Sequence, residues 1–212
     1  MSRPRILLAD DHFMVAEGIR GLLGDEFECL GIVEDGRALV EEARKQLPDV
    51  IVADIAMPHL NGIDALVQLK QDIPKVKVVF LTMHREMAFA RRALEAGASG
   101  YLLKHSEGAE VVLAIRAVLK GQRYISPAIA GDVVDSIRSY PETTDPLKSL
   151  TPRQREILQQ FVEGKSAKEI AAILDISTRT VEFHKYQMMQ SVGLQNSAEL
   201  ICFAIKNGLV DI

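Results

Sequence analysis

Four short apolar runs in the first 104 residues each end on a polar side chain that can do chemistry. Ile6-Leu7-Leu8-Ala9 runs into Asp10-Asp11, Val50-Ile51-Val52-Ala53 into Asp54, Val78-Val79-Phe80-Leu81 into Thr82, and Tyr101-Leu102-Leu103 into Lys104. Three carboxylates gathered at one place repel one another and favour a hard cation. Mg²⁺ suits such a set, because it takes oxygen ligands and keeps several waters. A carboxylate held beside Mg²⁺ can attack a phosphoryl group and become an aspartyl phosphate. A threonine hydroxyl can then bond one phosphoryl oxygen and a lysine can neutralise another. Little else is required, since positioning and electrostatics dominate phosphoryl transfer.

These residues converge only if the right elements carry them. The apolar runs, together with Cys29 to Val33, read as strands buried on both faces. Between them lie amphipathic stretches, such as Leu39, Ala43 and Leu47, or Val112, Ile115 and Leu119. Strands alternating with helices predict a parallel α/β sheet with right-handed crossovers. In an open sheet of that kind, ligands bind outside the carboxyl ends of the strands. The pattern changes after Gly121. Ser126-Pro127 can start a helix with Ile129, Val133 and Ile137 on one face, and residues 139–146 are turn-rich. We therefore place the receiver-like α/β unit at 1–123, a linker with one helix at 124–148, and a second unit at 149–212.

The second unit reads as all helical. Thr151-Pro152 with Gln154, and Ser166 with Glu169, are capping-box patterns. Ser177 or Thr178 can cap a third helix that carries Val181, Met188 and Val192 as core and stops at Gly193. A fourth helix runs from Ser197 to Asn207-Gly208.

The chain has 212 residues and a formal net charge of -4, with segment 149–212 neutral overall. Any nucleic-acid binding there depends on where the charges sit, since affinity comes largely from phosphate neutralisation. No stretch approaches the ~20 apolar residues of a membrane span, and the N-terminus lacks signal-peptide features. The two cysteines lie far apart, so a disulfide framework or zinc cluster is not expected and a reducing cytoplasm is the default.

Residues 1–123 resemble a CheY-like receiver domain. The segments that carry the resemblance are Ile6 to His12, Val50 to Gly62 (with Asp54 and Pro58), Leu81-Thr82 and Gly100 to Lys104. The resemblance implies a flavodoxin-like sheet of five parallel strands. It also implies Asp54 as phosphoacceptor, and Mg²⁺ held by Asp10, Asp11, Asp54 and the Ala56 carbonyl. Thr82 and Lys104 would stabilise the phosphoryl group, and Tyr101 would be a switch aromatic that turns inward with Thr82. His105 stands where many receivers have proline. His84 matches a position that influences the lifetime of the phosphorylated form.

Residues 149–208 resemble the LuxR-type helix-turn-helix of NarL/FixJ regulators, on Leu150 to Leu158, Glu163 to Ala171 and Ile176 to Lys185. By matching positions, Glu182, Phe183 and Tyr186 face bases, while Thr178, Arg179, Thr180 and Lys185 suit phosphates. Lys165 and Lys168 add basic charge. Carboxylates can accept from cytosine and apolar groups can touch the thymine methyl. His184 matches a position where packing or capping competes with DNA contact. Ala167 and Ser191 replace a frequent asparagine and lysine.

Together the two resemblances imply a transcription regulator of a two-component system rather than a turnover enzyme, although the receiver assists its own phosphoryl transfer and slow dephosphorylation. The implied partners are a sensor histidine kinase, double-stranded DNA with paired half-sites, a second copy of the chain on activation, and RNA polymerase. On residue chemistry alone, a metal-dependent phosphatase or a protein-binding adaptor remains a rival. No G-x-G-x-x-G, P-loop or G-x-S-x-G motif supports the enzyme.

Overall fold

The computed structural model describes residues 3–83, 87–106, 108–139 and 145–210, with the side chains of 134 and 136–139 outside the description. His84 lies outside the described residues, as do 140–144 of the turn-rich stretch and the side chain of Ile137. The chain forms two compact units that divide between residues 141 and 142.

In the first unit, strands and helices alternate as their apolar patterns demand. They are β1 (Arg5–Ala9), α1 (Phe13–Leu23), β2 (Glu28–Val33), α2 (Gly36–Gln46), β3 (Val50–Ala53), α3 (Gly62–Asp72), β4 (Val78–Thr82), α4 (Met87–Glu95), β5 (Gly100–Leu103), α5 (Gly108–Leu119), β6 (Tyr124–Ile125) and α6 (Pro127–Ser139). The strands form one sheet in the order β2-β1-β3-β4-β5-β6, and every neighbouring pair is parallel.

Strand side chains alternate faces, and the core divides accordingly. Leu7, Ile51, Phe80 and Tyr101 face a cluster with Leu39, Leu66, Phe89 and Ala90 from α2, α3 and α4. Ile6, Val52, Val79 and Leu102 face Ile19, Leu23, Val111 and Ile115 from α1 and α5. Both faces are therefore dry, which is why these strands are unbroken apolar runs.

The sheet has six strands, not the five expected. β6 is two residues long, too short to leave a period in the sequence, and it forms by pairing Tyr124 with Gly100 and Ile125 with Tyr101. The amide of Ser126 then donates to the Tyr101 carbonyl at 2.9 Å. In α6, Ile129 and Val133 are buried in the same cluster as Phe89 and Tyr101, and the helix packs on α4. Residues 124–139, read from the sequence as linker with one helix, thus pack as parts of the first unit.

The second unit starts with a short 3-10 turn (Pro146–Ser149), then α7 (Pro152–Val162), α8 (Ala167–Ile173), α9 (Thr178–Val192) and α10 (Ser197–Lys206). Both capping boxes form. Thr151 accepts from the Gln154 amide while Gln154 reaches back to the Thr151 amide, and Ser166 and Glu169 do the same. The core holds Leu150, Ile157, Leu158, Ile170, Val181, Met188, Leu200 and Ala204.

A carboxylate centre at the strand ends and a helix-turn-helix face

β1 lies between β2 and β3, so the chain reverses its winding direction there. Asp10 and Asp54 flank that reversal, the crevice where open sheets bind ligands. The register is explicit: Ala9 pairs with Ala53 and Thr82 with Leu103, which puts Asp10 beside Asp54 and Lys104 just beyond Thr82. The Lys104 amide donates to the Thr82 carbonyl at 2.8 Å, carrying the pairing one residue further.

Asp10, Asp54 and Thr82 are buried, whereas Asp11 and His12 are exposed. Backbone amides aim the two buried carboxylates. His12 N–H donates to Asp10 at 2.9 Å, and Ile55 N–H donates to Asp54 at 2.6 Å, with a longer contact of 3.4 Å from Ala56 N–H. The Lys104 ammonium donates to Asp54 at 2.6 Å and to Asp10 at 2.9 Å. Burial pushes the Asp54 carboxyl above its ordinary range, against the pull of Lys104 and with a further push from Asp10. Burial disfavours the Lys104 ammonium too, but Asp54 and Asp10 outweigh it and hold the ammonium above its usual value.

The loop after Asp54 is built to bring the chain back across it. The Gly62 amide donates to the Ile55 carbonyl at 2.9 Å. A β-carbon at Gly62 would sit 2.2 Å from the Asp54 carbonyl oxygen and 2.9 Å from the Phe80 ring, so only glycine permits this approach. Asn61 then caps α3 by accepting from the Asp64 amide at 2.9 Å.

Donor atoms of Asp10, Asp11, His12 and Asp54 all lie within 4.8 Å of one another. The oxygen-rich set fits a hard divalent cation. Each sequence-predicted residue of this centre therefore lies at or beside it. Ala56 is in the loop following Asp54, and Tyr101 is fully buried in the core cluster under α4. The sequence reading set His12 aside as structural or solvated, although it stands within the cluster.

In the second unit, α8 and α9 meet through a tight turn in which Asp175 takes a left-handed conformation (φ 51°). Ser177 caps α9, accepting from the Thr180 amide at 3.0 Å, with the Ser177 and Thr180 hydroxyls 2.8 Å apart. Val181 and Met188 are buried, as helical spacing predicts. Arg179, Glu182, Phe183 and Tyr186 recur at i, i+3, i+4 and i+7 and so share one face. Phe183 is 56% and Tyr186 58% exposed, and Thr178, Arg179 and Glu182 are exposed with them. Lys168 is exposed in the first turn of α8, while Lys165 is half-buried before it.

Lys185 departs from a free phosphate contact. Its ammonium pairs with Glu182 at 2.5 Å and lies 5.4 Å from the centroid of the Phe161 ring. Its charge is thus partly spent inside the domain, against a carboxylate on the exposed face and an aromatic ring of α7.

The profile of the response regulator receiver domain matches residues 6–116, and that of the bacterial regulatory proteins of the luxR family matches residues 148–204. The chain is 34% identical over 206 residues to the response regulator UvrY of Escherichia coli (strain K12), covering 96% of this chain and 94% of that protein. Among solved structures, a two-component response regulator of the LuxR family from Aurantimonas sp. SI85-9A1 superposes with a TM-score of 0.62 at 38% identity, covering 66% of this chain and all of that one. RcsB from Salmonella enterica serovar Typhimurium, bound to promoter rprA in the presence of the phosphomimetic BeF3-, superposes with a TM-score of 0.59 at 27% identity, covering 95% and 98%.

Proposed function

The chain belongs to the two-component response regulators that join a receiver to a LuxR-type DNA-binding domain, and from that premise we propose that phosphorylation of Asp54 by a histidine kinase controls its grip on DNA. The observation that carries this reading is the Asp54 carboxylate: buried, aimed by two backbone amides, and bracketed by Asp10 and Lys104.

Asp10, Asp11 and Asp54 would hold Mg²⁺ together with the Ala56 carbonyl, and the ion would neutralise the three equatorial oxygens' charge as the phosphoryl group transfers. Asp54 supplies the attacking oxygen. Lys104, which now bridges Asp54 and Asp10, is placed to follow the new negative charge. Thr82, buried at the end of β4, is placed to donate its hydroxyl. The same centre supports slow loss of the phosphoryl group to water.

The chemistry becomes regulation because Tyr101 and α4 share a core with α6. A shift of Thr82 and Tyr101 biases an equilibrium between packings of that core. We read the output as dimerisation and release of the DNA-binding face, so that two copies occupy paired half-sites. Arg179, Thr178, Thr180 and Lys168, with Lys165 at the entry to α8, serve phosphates. Glu182, Phe183 and Tyr186 serve base edges, with Lys185 bracing Glu182. RNA polymerase is the further partner such a regulator would meet, in the cytoplasm.

The test is intact-mass analysis after incubation with acetyl phosphate and Mg²⁺. The wild-type chain gains one phosphoryl group, mapped to Asp54, and Asp54→Ala gains none. A phosphoryl group on another residue in the wild type overturns the assignment.

A further inference from the structure

His12 stands inside the carboxylate centre without being needed to build the fold. It occupies the N-cap position of α1, yet its side chain makes no capping hydrogen bond there. The imidazole is 63% exposed, and Nδ1 lies 2.8 Å from Asp11 and 3.3 Å from Asp10. One donor atom from each of Asp10, Asp11, His12 and Asp54 falls within 4.8 Å of the others.

Mg²⁺ selects oxygen and keeps water, so an imidazole nitrogen adds nothing to its binding. A first-row ion of borderline softness differs, because imidazole suits it and carboxylate does not exclude it. Zn²⁺ bonds nitrogen and oxygen at about 2.0–2.2 Å in a tetrahedron, which puts neighbouring donors about 3.4 Å apart. The pocket must therefore close by little more than an ångström. Its parts are suited to that. Asp10 and Asp54 are fixed by the amides of His12 and Ile55, while Asp11 and His12 are exposed and free to rotate inward.

We propose that His12 converts this acidic pocket into a mixed nitrogen–oxygen site for a Zn²⁺-like ion, ligated by His12, Asp10, Asp11 and Asp54, and that this ion blocks phosphorylation. The inference rests on the preceding reading of the carboxylates as a cation site. The block follows from the ligand set. An Asp54 oxygen bonded to Zn²⁺ is no longer available to attack phosphorus, and a four-ligand cage leaves no open position for the phosphodonor.

The full-length chain, as wild type, His12→Ala and Cys202→Ser, is titrated calorimetrically with Zn²⁺ and, separately, with Mg²⁺. The Cys202 variant controls for the exposed thiol on α10. Even outer-shell partners of a metal are worth 10–100-fold in affinity, so losing a direct ligand should weaken Zn²⁺ by at least about ten-fold. His12→Ala is expected to show that loss with unchanged Mg²⁺ affinity, while Cys202→Ser matches wild type. Zinc X-ray absorption of the wild type should show imidazole scattering that His12→Ala lacks. Equal Zn²⁺ binding by wild type and His12→Ala overturns the proposal while normal Mg²⁺ binding leaves the cation-site reading standing. Absence of Mg²⁺ binding in the wild type overturns both.

Discussion

The Lys104 ammonium lies 2.6 Å from the Asp54 carboxylate and 2.9 Å from Asp10, bridging two buried acids that flank the reversal of the sheet. It thus occupies the charge-compensating role that a cation would share. Lys104→Met should leave two buried carboxylates uncompensated. Breaking a buried pair from one side costs up to about 3–5 kcal/mol; because the Asp54 carboxyl already leans toward its neutral form, the loss should fall at or below the low end of that range. Mg²⁺ should restore much of it, and should bind the variant more tightly than the wild type because no ammonium competes. Calorimetric melting with and without Mg²⁺ checks this, and equal Mg²⁺ affinities would sink it.

Gly62→Ala should be costly out of proportion to one methyl group. The added carbon would meet the Asp54 carbonyl at 2.2 Å, and neither it nor the Phe80 ring can yield without moving the phosphoacceptor. We expect destabilisation of the first unit by about 3 kcal/mol, the upper part of the overpacking range, and a slower acetyl phosphate reaction in whatever remains folded. A melt and a labelling rate both unchanged would show that the loop accommodates the carbon.

On α9, the two basic residues should behave differently. Arg179→Ala should reduce the slope of log affinity against log salt by about one phosphate contact. Lys185→Ala should leave that slope nearly intact, because its charge is held by Glu182 and Phe161, and should instead relax base discrimination by freeing Glu182. Phe183→Ala, being exposed, should shift the melt by less than about 0.5 kcal/mol while weakening specific DNA. Salt titrations of each variant on one bound fragment separate these outcomes, and a slope lowered equally by both basic substitutions would return Lys185 to the phosphates.

His184 sets a pH dependence for the second unit. Burial, helped by Arg153, holds its imidazole below the ordinary value of 6.5, and Nδ1 has no hydrogen-bond partner among the described residues. The unfolded chain therefore takes up the proton first. The stabilisation from a neutral His184 is complete above pH ~6.5 and is lost as pH falls from there through the folded-state value. His184→Gln should flatten the melting temperature of the second unit between pH ~7 and ~5 relative to wild type. A parallel decline in both would contradict the assignment.

Much of this was legible in the sequence because the informative signals are local. Asp10, Asp54, Thr82 and Lys104 each end an apolar run, and a parallel sheet leaves the ends of such runs together. Thr151 with Gln154 and Ser166 with Glu169 encode helix starts that need no tertiary context. What escaped the reading is what tertiary contact decides. β6 has two residues and exists only because β5 offers an edge to Tyr124 and Ile125. The burial of Ile129 and Val133 against α4 required knowing that α6 folds back on the receiver. Lys185 looks like any basic residue of a DNA-binding helix until Phe161, 24 positions away in the chain, is found beneath it. His12 was passed over because an exposed histidine signals nothing until its distances to Asp10 and Asp11 are known.

The central claim is that the state of Asp54 governs DNA occupancy. The direct measurement is footprinting on genomic fragments, with wild type and Asp54→Ala, each with and without beryllofluoride and Mg²⁺, read alongside light-scattering mass. The account predicts that beryllofluoride raises wild-type occupancy at least about ten-fold, the effect of 1.4 kcal/mol of coupling, with a shift toward dimer, and leaves Asp54→Ala unchanged. Equal occupancy by both chains, with beryllofluoride shown to be bound to the wild type, would contradict it.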